Sequence, residues 1–292
     1  MSDKQYRHVS KSSLRIEAHE KVSGRATYTF DMEMPGMVYA KCLHSPHAHA
    51  EIVSIDTVAA KALPGVKAVL TGEDIPYLVG LYMIDKRVLA RGKVRYQGEA
   101  VAAVAAVDEA TAERALTLIK VEYKQLPLVS TIDEALAAQV LVHEDINELE
   151  YLKGVFFPQP DSNIASWNKA CKGDIIKGFA EADVIVENEL TLPAVAHVPL
   201  ETHVAVAQAD PCSNQVKIWS STQSPFGVRK LLAKALGITT GDIQVIAPYV
   251  GGGFGGKAGI HLEPLAVVLS RACKGRPVKI TASREEEFNQ LP

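Results

Sequence analysis

The chain lacks the residues that clusters, export signals and membrane spans require. Its 292 residues include only four cysteines, Cys42, Cys171, Cys212 and Cys273, and no two form a C-x-x-C pair. Iron–sulfur clusters and structural zinc need clustered thiolates, so neither is expected on this chain. Thiols this sparse fit a reducing, cytoplasmic compartment. The opening MSDKQYRHVSKSSLRIEAHE has no apolar stretch, and no secretory signal is read there. No run of about 18 apolar residues occurs, so no membrane span is expected. Charge of one sign is also missing. A net charge of -3 and a pI near 6.3 give no electrostatic case for nucleic acid or an anionic membrane.

What is present is an ordinary globular composition, 47% hydrophobic and 22% charged, long enough for about two domains. Residues 1–20 are polar and read as an arm. Residues 21–140 form a first unit. Strand-like runs are predicted at 26–30, 38–44, 51–56, 66–70, 100–107 and 120–123, with helical signals at 57–63 and 108–118. Asp108 is placed as an N-cap. Residues 141–172 are rich in turn formers and read as a linker. A second unit, 173–292, carries helical signals at 173–182, 225–236 and 262–273. Strands are expected at 184–192 and 243–248, in a hairpin at 204–209 and 216–221, and at 278–282. Gly237 is expected to end the middle helix. The fold class expected is α+β.

The sharpest local feature is the run GGGFGG at 251–256. Five glycines in six positions point to positive φ or to close approach of the backbone to something. With a strand before it and a helix after it, its amides could cradle an anion at a helix N-terminus. The run also satisfies G-x-G-x-x-G literally, so a dinucleotide turn of an NAD-dependent dehydrogenase is a second reading. The acid that should follow about 20 positions on is first met at Glu285, which weakens it. A tight packing turn with no ligand is the third reading.

The residues around this loop carry a family resemblance. VGGGFGGK at 250–257 resembles the glycine loop of the molybdenum hydroxylases. SSTQ at 220–223, His197-x-x-x-Glu201 and the pair Glu263, Pro264 match that family's signatures in order. In the first unit, KVSGRATYTFDMEMPGMVYAKCLHSPHAHAEIVSID, LPGVKAVLTGEDIP, VRYQGEAVAAVAA and IKVEYKQLPLV resemble its hammerhead domain. The chain is thus similar, from about Lys21 onward, to the N-terminal part of the molybdenum-binding subunit of the xanthine dehydrogenase and aldehyde oxidase family.

That resemblance implies a hammerhead-type domain followed by the first portion of a molybdopterin-binding domain. It implies a molybdenum–molybdopterin cofactor, in the cytosine dinucleotide form, with iron–sulfur clusters and FAD on partner subunits. The activity implied is oxidation of an N-heterocycle such as a purine, by attack of a metal-bound oxygen and hydride transfer to the molybdenum centre. By the same resemblance, Gln223, Gly252, Gly253, Phe254 and Gly255 bind the cofactor. The backbone at Phe254 is the part nearest the metal.

Other positions are read more plainly. His197 and Glu201 are expected as a hydrogen-bonded structural pair rather than metal ligands, because Pro199 breaks the helix that ligation would want. His44, His47 and His49 are expected to be structural, and Glu99 to pack and bond rather than catalyse. Two positions depart from the family pattern. Val195 stands where some members place a glutamine near the metal, and Ala258 where purine-oxidising members place Glu or Gln. Both are assigned to the substrate pocket. The family's general-base glutamate lies beyond residue 292, so no catalytic residue is assigned to this chain. The expectation is therefore a subunit or piece of a hydroxylase, inactive and poorly soluble alone: a truncated product, a fragment, or the first half of a split subunit that the remaining C-terminal half completes. A truncated paralogue serving assembly is the non-catalytic alternative.

Overall fold

The computed structural model describes residues 7–9 and 11–289. Its centre is a mixed sheet of seven strands. They are β1 Val38–His44, β3 Val66–Thr71, β5 Ala100–Ala106, β7 Val204–Ala209, β8 Val216–Ser220, β9 Ile243–Ile246 and β10 Val278–Thr281, in the spatial order β9-β8-β7-β10-β1-β5-β3. A smaller sheet holds β2 Ala50–Asp56 between β4 Lys93–Val94 and β6 Lys120–Gln125. Strands from the first and second compositional units therefore meet in one sheet. The join is the parallel pair β1 and β10, in register Val38 with Val278. Arg276 Nε reinforces it by donating to Gly36 O at 2.7 Å.

Helices cover both faces. α1 Val58–Ala62 and α2 Glu109–Leu116 lie on one, and α3 Pro225–Leu236 and α4 Glu263–Ala272 on the other. The strand β5, AVAAVAA, shows why this works. Its Ala102, Val104 and Ala106 pack with Ala60, Ala112 and Ala115 of α1 and α2. Its Ala103 and Ala105 belong to the opposite core, with Leu265 and Leu269 of α4. A strand buried on both faces reads as a continuous apolar run, and small side chains here let both layers close.

Capping follows the sequence signals closely. Asp108 accepts from Thr111 N at 2.7 Å and starts α2. Gly237, at φ 64°, ends α3. The segment 141–172 is pinned to the first unit by Asn163. Its Nδ2 donates to Ala135 O and Val140 O, and its Oδ1 accepts from Val142 N.

Two expected strands are corrected. Residues 26–30 give a single bridge, Tyr28 to Tyr249, and then a 3-10 turn, Thr29–Asp31. Asp31 Oδ2 takes the Tyr28 amide at 2.9 Å and closes the turn. Residues 184–192 alternate as a strand should, yet they run irregular and exposed, Leu190 at 87%. A strand needs a neighbour to bond, and none of the described residues pairs with this one.

The packing of β5 makes a prediction. Ala103→Leu should cost about 1–3 kcal/mol by overpacking, seen as a lower urea midpoint. Ala59→Leu, on the exposed side of α1, should stay within about 0.5 kcal/mol. Equal effects at the two positions would contradict this account of the core.

Candidate cofactor site at the glycine loop

The loop leaves the end of β9, and four side chains grip it from behind. The stretch following β8 supplies the first. Gln223 Oε1 accepts from Gly255 N at 3.0 Å and from Lys257 N at 3.2 Å. Two amide donors identify the facing atom as oxygen, so the Nε2 donors of Gln223 are not committed to the loop. Thr222 Oγ1 donates to Lys257 O at 3.2 Å, and Gln223 N donates to the same carbonyl at 2.9 Å. Ser220 Oγ donates to Glu263 Oε1 at 2.6 Å, which ties β8 to the start of α4.

Glu201 supplies the second grip, with Gly251 N donating to its Oε2 at 2.7 Å. Lys257 supplies the third from within the loop. Its side chain is sealed from solvent, and Nζ donates to Glu201 O at 2.8 Å and to Glu201 Oε2 at 3.2 Å. Burial pushes this ammonium below the ordinary lysine range, while Glu201 opposes the shift. His203 is the fourth. Nε2 lies 3.2 Å from Gly256 O, and Nδ1 lies 2.7 Å from Glu287 Oε1 on α5, Arg284–Asn289. The ring of His261 meets that of His203 edge to face, with centroids 4.7 Å apart. Burial, reinforced by His203, drives His261 down to about 3.

Glycine is required at residue 253, where a Cβ would lie 2.4 Å from Gln223 Oε1. Phe254 sits at the tip with φ 53° and is 72% exposed. A bulky residue in the left-handed region costs of order 1–3 kcal/mol unless its surroundings fix it, and such strain gathers at ligand sites. The internal bonds of the loop run Gly256 N to Gly253 O and Ala258 N to Gly255 O. Among the described residues, nothing takes the amides of Gly252, Gly253 and Phe254. Gly252 is half-buried, Gly253 buried and Phe254 exposed, and uncommitted N–H donors in such a row can hold an anion or an acceptor oxygen.

The sequence-predicted residues are partly brought together. Gln223, Gly252, Gly253, Phe254 and Gly255 form one constellation. His197 and Glu201 do not bond each other. Glu201 grips Gly251, and the His197 ring packs beside Gly255 and Gly256, 3.0 Å from where a Gly256 Cβ would stand. Val195 is exposed two residues before His197, and Ala258 is half-buried at the foot of the loop. His44 faces Glu286, His47 meets Gln125, and Nδ1 of His49 lies 2.6 Å from Pro127 O. Glu99 Oε2 accepts from Arg95 N at 2.7 Å. The anion cradle is not a helix N-terminus, because α4 begins only at Glu263, six residues past the last loop turn at Lys257. That separation also removes the Rossmann geometry, in which the helix opens at the loop itself. His203, Glu287 and the lysine pairing were missed in the sequence. Their only trace there is the E-T-H spacing at 201–203.

Two family models match the chain. The aldehyde oxidase and xanthine dehydrogenase a/b hammerhead domain covers 23–127, and the molybdopterin cofactor-binding domain covers 156–290. The chain belongs to the xanthine dehydrogenase and aldehyde oxidase family. It is 36% identical to the putative xanthine dehydrogenase molybdenum-binding subunit of Escherichia coli, over 94% of this chain and 36% of that protein. It is 35% identical to the carbon monoxide dehydrogenase large chain of Afipia carboxidovorans, over 94% and 35%. Quinoline 2-oxidoreductase from Pseudomonas putida superposes with a TM-score of 0.83 at 36% identity, covering 95% of this chain and 35% of that one. The chain thus spans little more than a third of the length of these relatives.

The buried His261 makes a prediction with a definite sign. Its value of about 3 in the fold lies below the 6.5 of the free side chain. Between those limits the unfolded chain takes a proton that the folded one refuses, so stability falls as pH falls through that window. From pH 7 to pH 4 the loss is about 1–3 kcal/mol from this residue. His261→Phe should reduce the fall in unfolding free energy by that amount, measured in urea at both pH values. Identical pH slopes for the two proteins would rule the assignment out.

Proposed function

We propose that the chain is the hammerhead and first molybdopterin-binding portion of a molybdenum hydroxylase, and that its glycine loop holds the cofactor. The observation that carries this is the row of uncommitted amides at Gly252, Gly253 and Phe254, beside the free Nε2 end of Gln223. A pterin-bound molybdenum centre is anionic and rich in acceptor oxygens, so this donor set suits it. Glycine at 253 leaves Gln223 room to hold the loop from behind, which keeps the row of amides in place.

When bound, the group supplies a two-electron redox centre for oxidising an electron-poor carbon. The chain's own residues bind and orient it. The amides of 252–254 and Gln223 Nε2 donate to acceptor oxygens, Phe254 shields the approach, and Glu201, Lys257 and His203 fix the loop. No carboxylate here takes the general-base role. Glu201 already serves Gly251 and Lys257, and Glu287 serves His203. That base belongs to the remainder of the molybdenum subunit. The exposed apolar side chains of 184–192 give that remainder a strand to pair with.

The substrate class we favour is an N-heterocycle such as a purine, which the xanthine dehydrogenase relatives support. Val195 and Ala258 offer it no side-chain hydrogen bond, so polar recognition falls to other groups. The cofactor form is the cytosine dinucleotide. Iron–sulfur and FAD partner subunits carry electrons onward, and the assembly works in the cytoplasm.

The experiment is recovery of the tagged chain from its native host with elemental analysis. Molybdenum and pterin should come with it. Gly253→Ala should lower molybdenum at least about fivefold while the circular dichroism stays unchanged. The isolated chain should show no purine turnover. An assembled complex free of molybdenum, or turnover by the isolated chain, would overturn the proposal.

A further inference from the structure

We infer that His203 is doubly protonated, and that this buried imidazolium is a positioning residue fixing the orientation of the Gly256–Lys257 peptide. The argument rests on donor and acceptor counting. His203 is 6% exposed, so water does not complete its bonding. Nε2 lies 3.2 Å from Gly256 O, a carbonyl that can only accept. Nδ1 lies 2.7 Å from Glu287 Oε1, which already accepts the His203 amide on the same oxygen. A neutral ring has one N–H and one lone pair. With Glu287 ionised, as a carboxyl held below its ordinary range is, a neutral ring would satisfy one oxygen and turn a lone pair on the other, a repulsion buried where unmade bonds are costly. Two protons satisfy both.

The surroundings agree with a cation at this site. Burial alone would raise the Glu287 carboxyl, but the bonds and charge of His203 outweigh it and hold Glu287 below the ordinary range. The other charged and titratable groups nearby are the Lys257 ammonium with its partner Glu201, Arg284 of α5 and the His261 ring. His261 stays neutral beside His203, as a second buried ring next to a cation should.

The consequence lies in one peptide unit. Its carbonyl, Gly256 O, faces His203, and its N–H, on Lys257, donates to Gln223 Oε1. A flip of that peptide breaks both bonds. With the peptide fixed, Gln223 must present Oε1 to the loop and Nε2 to the opposite side. His203 therefore sets, from behind, which end of the Gln223 amide is available at the front. The protonation state needs no bound group. Only its bearing on the cofactor rests on the proposed function.

The test is nitrogen NMR on the full chain labelled with 15N-histidine, at neutral pH, with His203→Gln used to assign the signals. Both ring nitrogens of His203 should carry protons. An unprotonated Nδ1 would place the shared proton on Glu287, an unprotonated Nε2 would remove the bond to Gly256, and either overturns the inference. Hydrogen exchange gives a second readout. His203→Gln and Glu287→Gln should each speed exchange of the Lys257 amide about tenfold, with the β7–β8 hairpin unchanged. Unchanged exchange at Lys257 in both variants would also overturn it. Should the hairpin lose protection, the wild-type spectrum alone decides.

Discussion

The buried ammonium of Lys257 is the constraint on which the loop depends. A lysine sealed from water is tolerated only if its donors are satisfied and its charge is met. Glu201 takes two of the three N–H donors, through its carbonyl and its carboxylate, and meets the charge. That same carboxylate takes Gly251 N, so one ion pair closes the loop at its first and last residues. Removing either partner of such a pair commonly costs about 3–5 kcal/mol, because the other is left charged and dry. A weak, exposed pair could not hold five glycines in one conformation against the entropy they would regain. The loop is rich in glycine so that its tip can carry an open row of amides. It is rigid because its ends are tied to charge.

Much of the frame was legible in the sequence, and the reasons are local. Asp108, Pro225 and Gly237 mark helix boundaries through bonds and dihedral angles set within a few residues. The hairpin of β7 and β8 follows from alternation on either side of a turn. The strand expected at 184–192 has equally good alternation and no partner, since alternation reports a face to be buried and says nothing of what covers it. The run at 26–30 failed for the opposite reason, because Asp31 offered the backbone a closer acceptor than any strand.

The candidate site divides in the same way. Its front, Gln223 and the glycines, could be named because motif residues lie near one another in sequence. Its back could not. Glu287 reaches His203 across 84 residues, and Lys257 reaches Glu201 across 56. Such pairings are made by the sheet, which brings the starts of β7 and α5 behind the end of β9. No spacing rule along the chain reports them. The expectation of a helix N-terminus also failed here, since periodicity finds a helix but does not show whether its first turn opens at the loop or six residues later.

The sheet join between β1 and β10 extends the dependence further. β10 leads directly to Ser283 and α5, so the strand that unites the two compositional units also aims Glu287 at His203. A shift of β10 against β1 would move α5, and with it the carboxylate that keeps the imidazolium charged. Since His203 and Gln223 hold the two ends of one peptide, such a shift reaches the front of the loop without touching the glycines. The hammerhead-like unit, far from the loop in sequence, is thereby coupled to the loop through strand register and one buried charge.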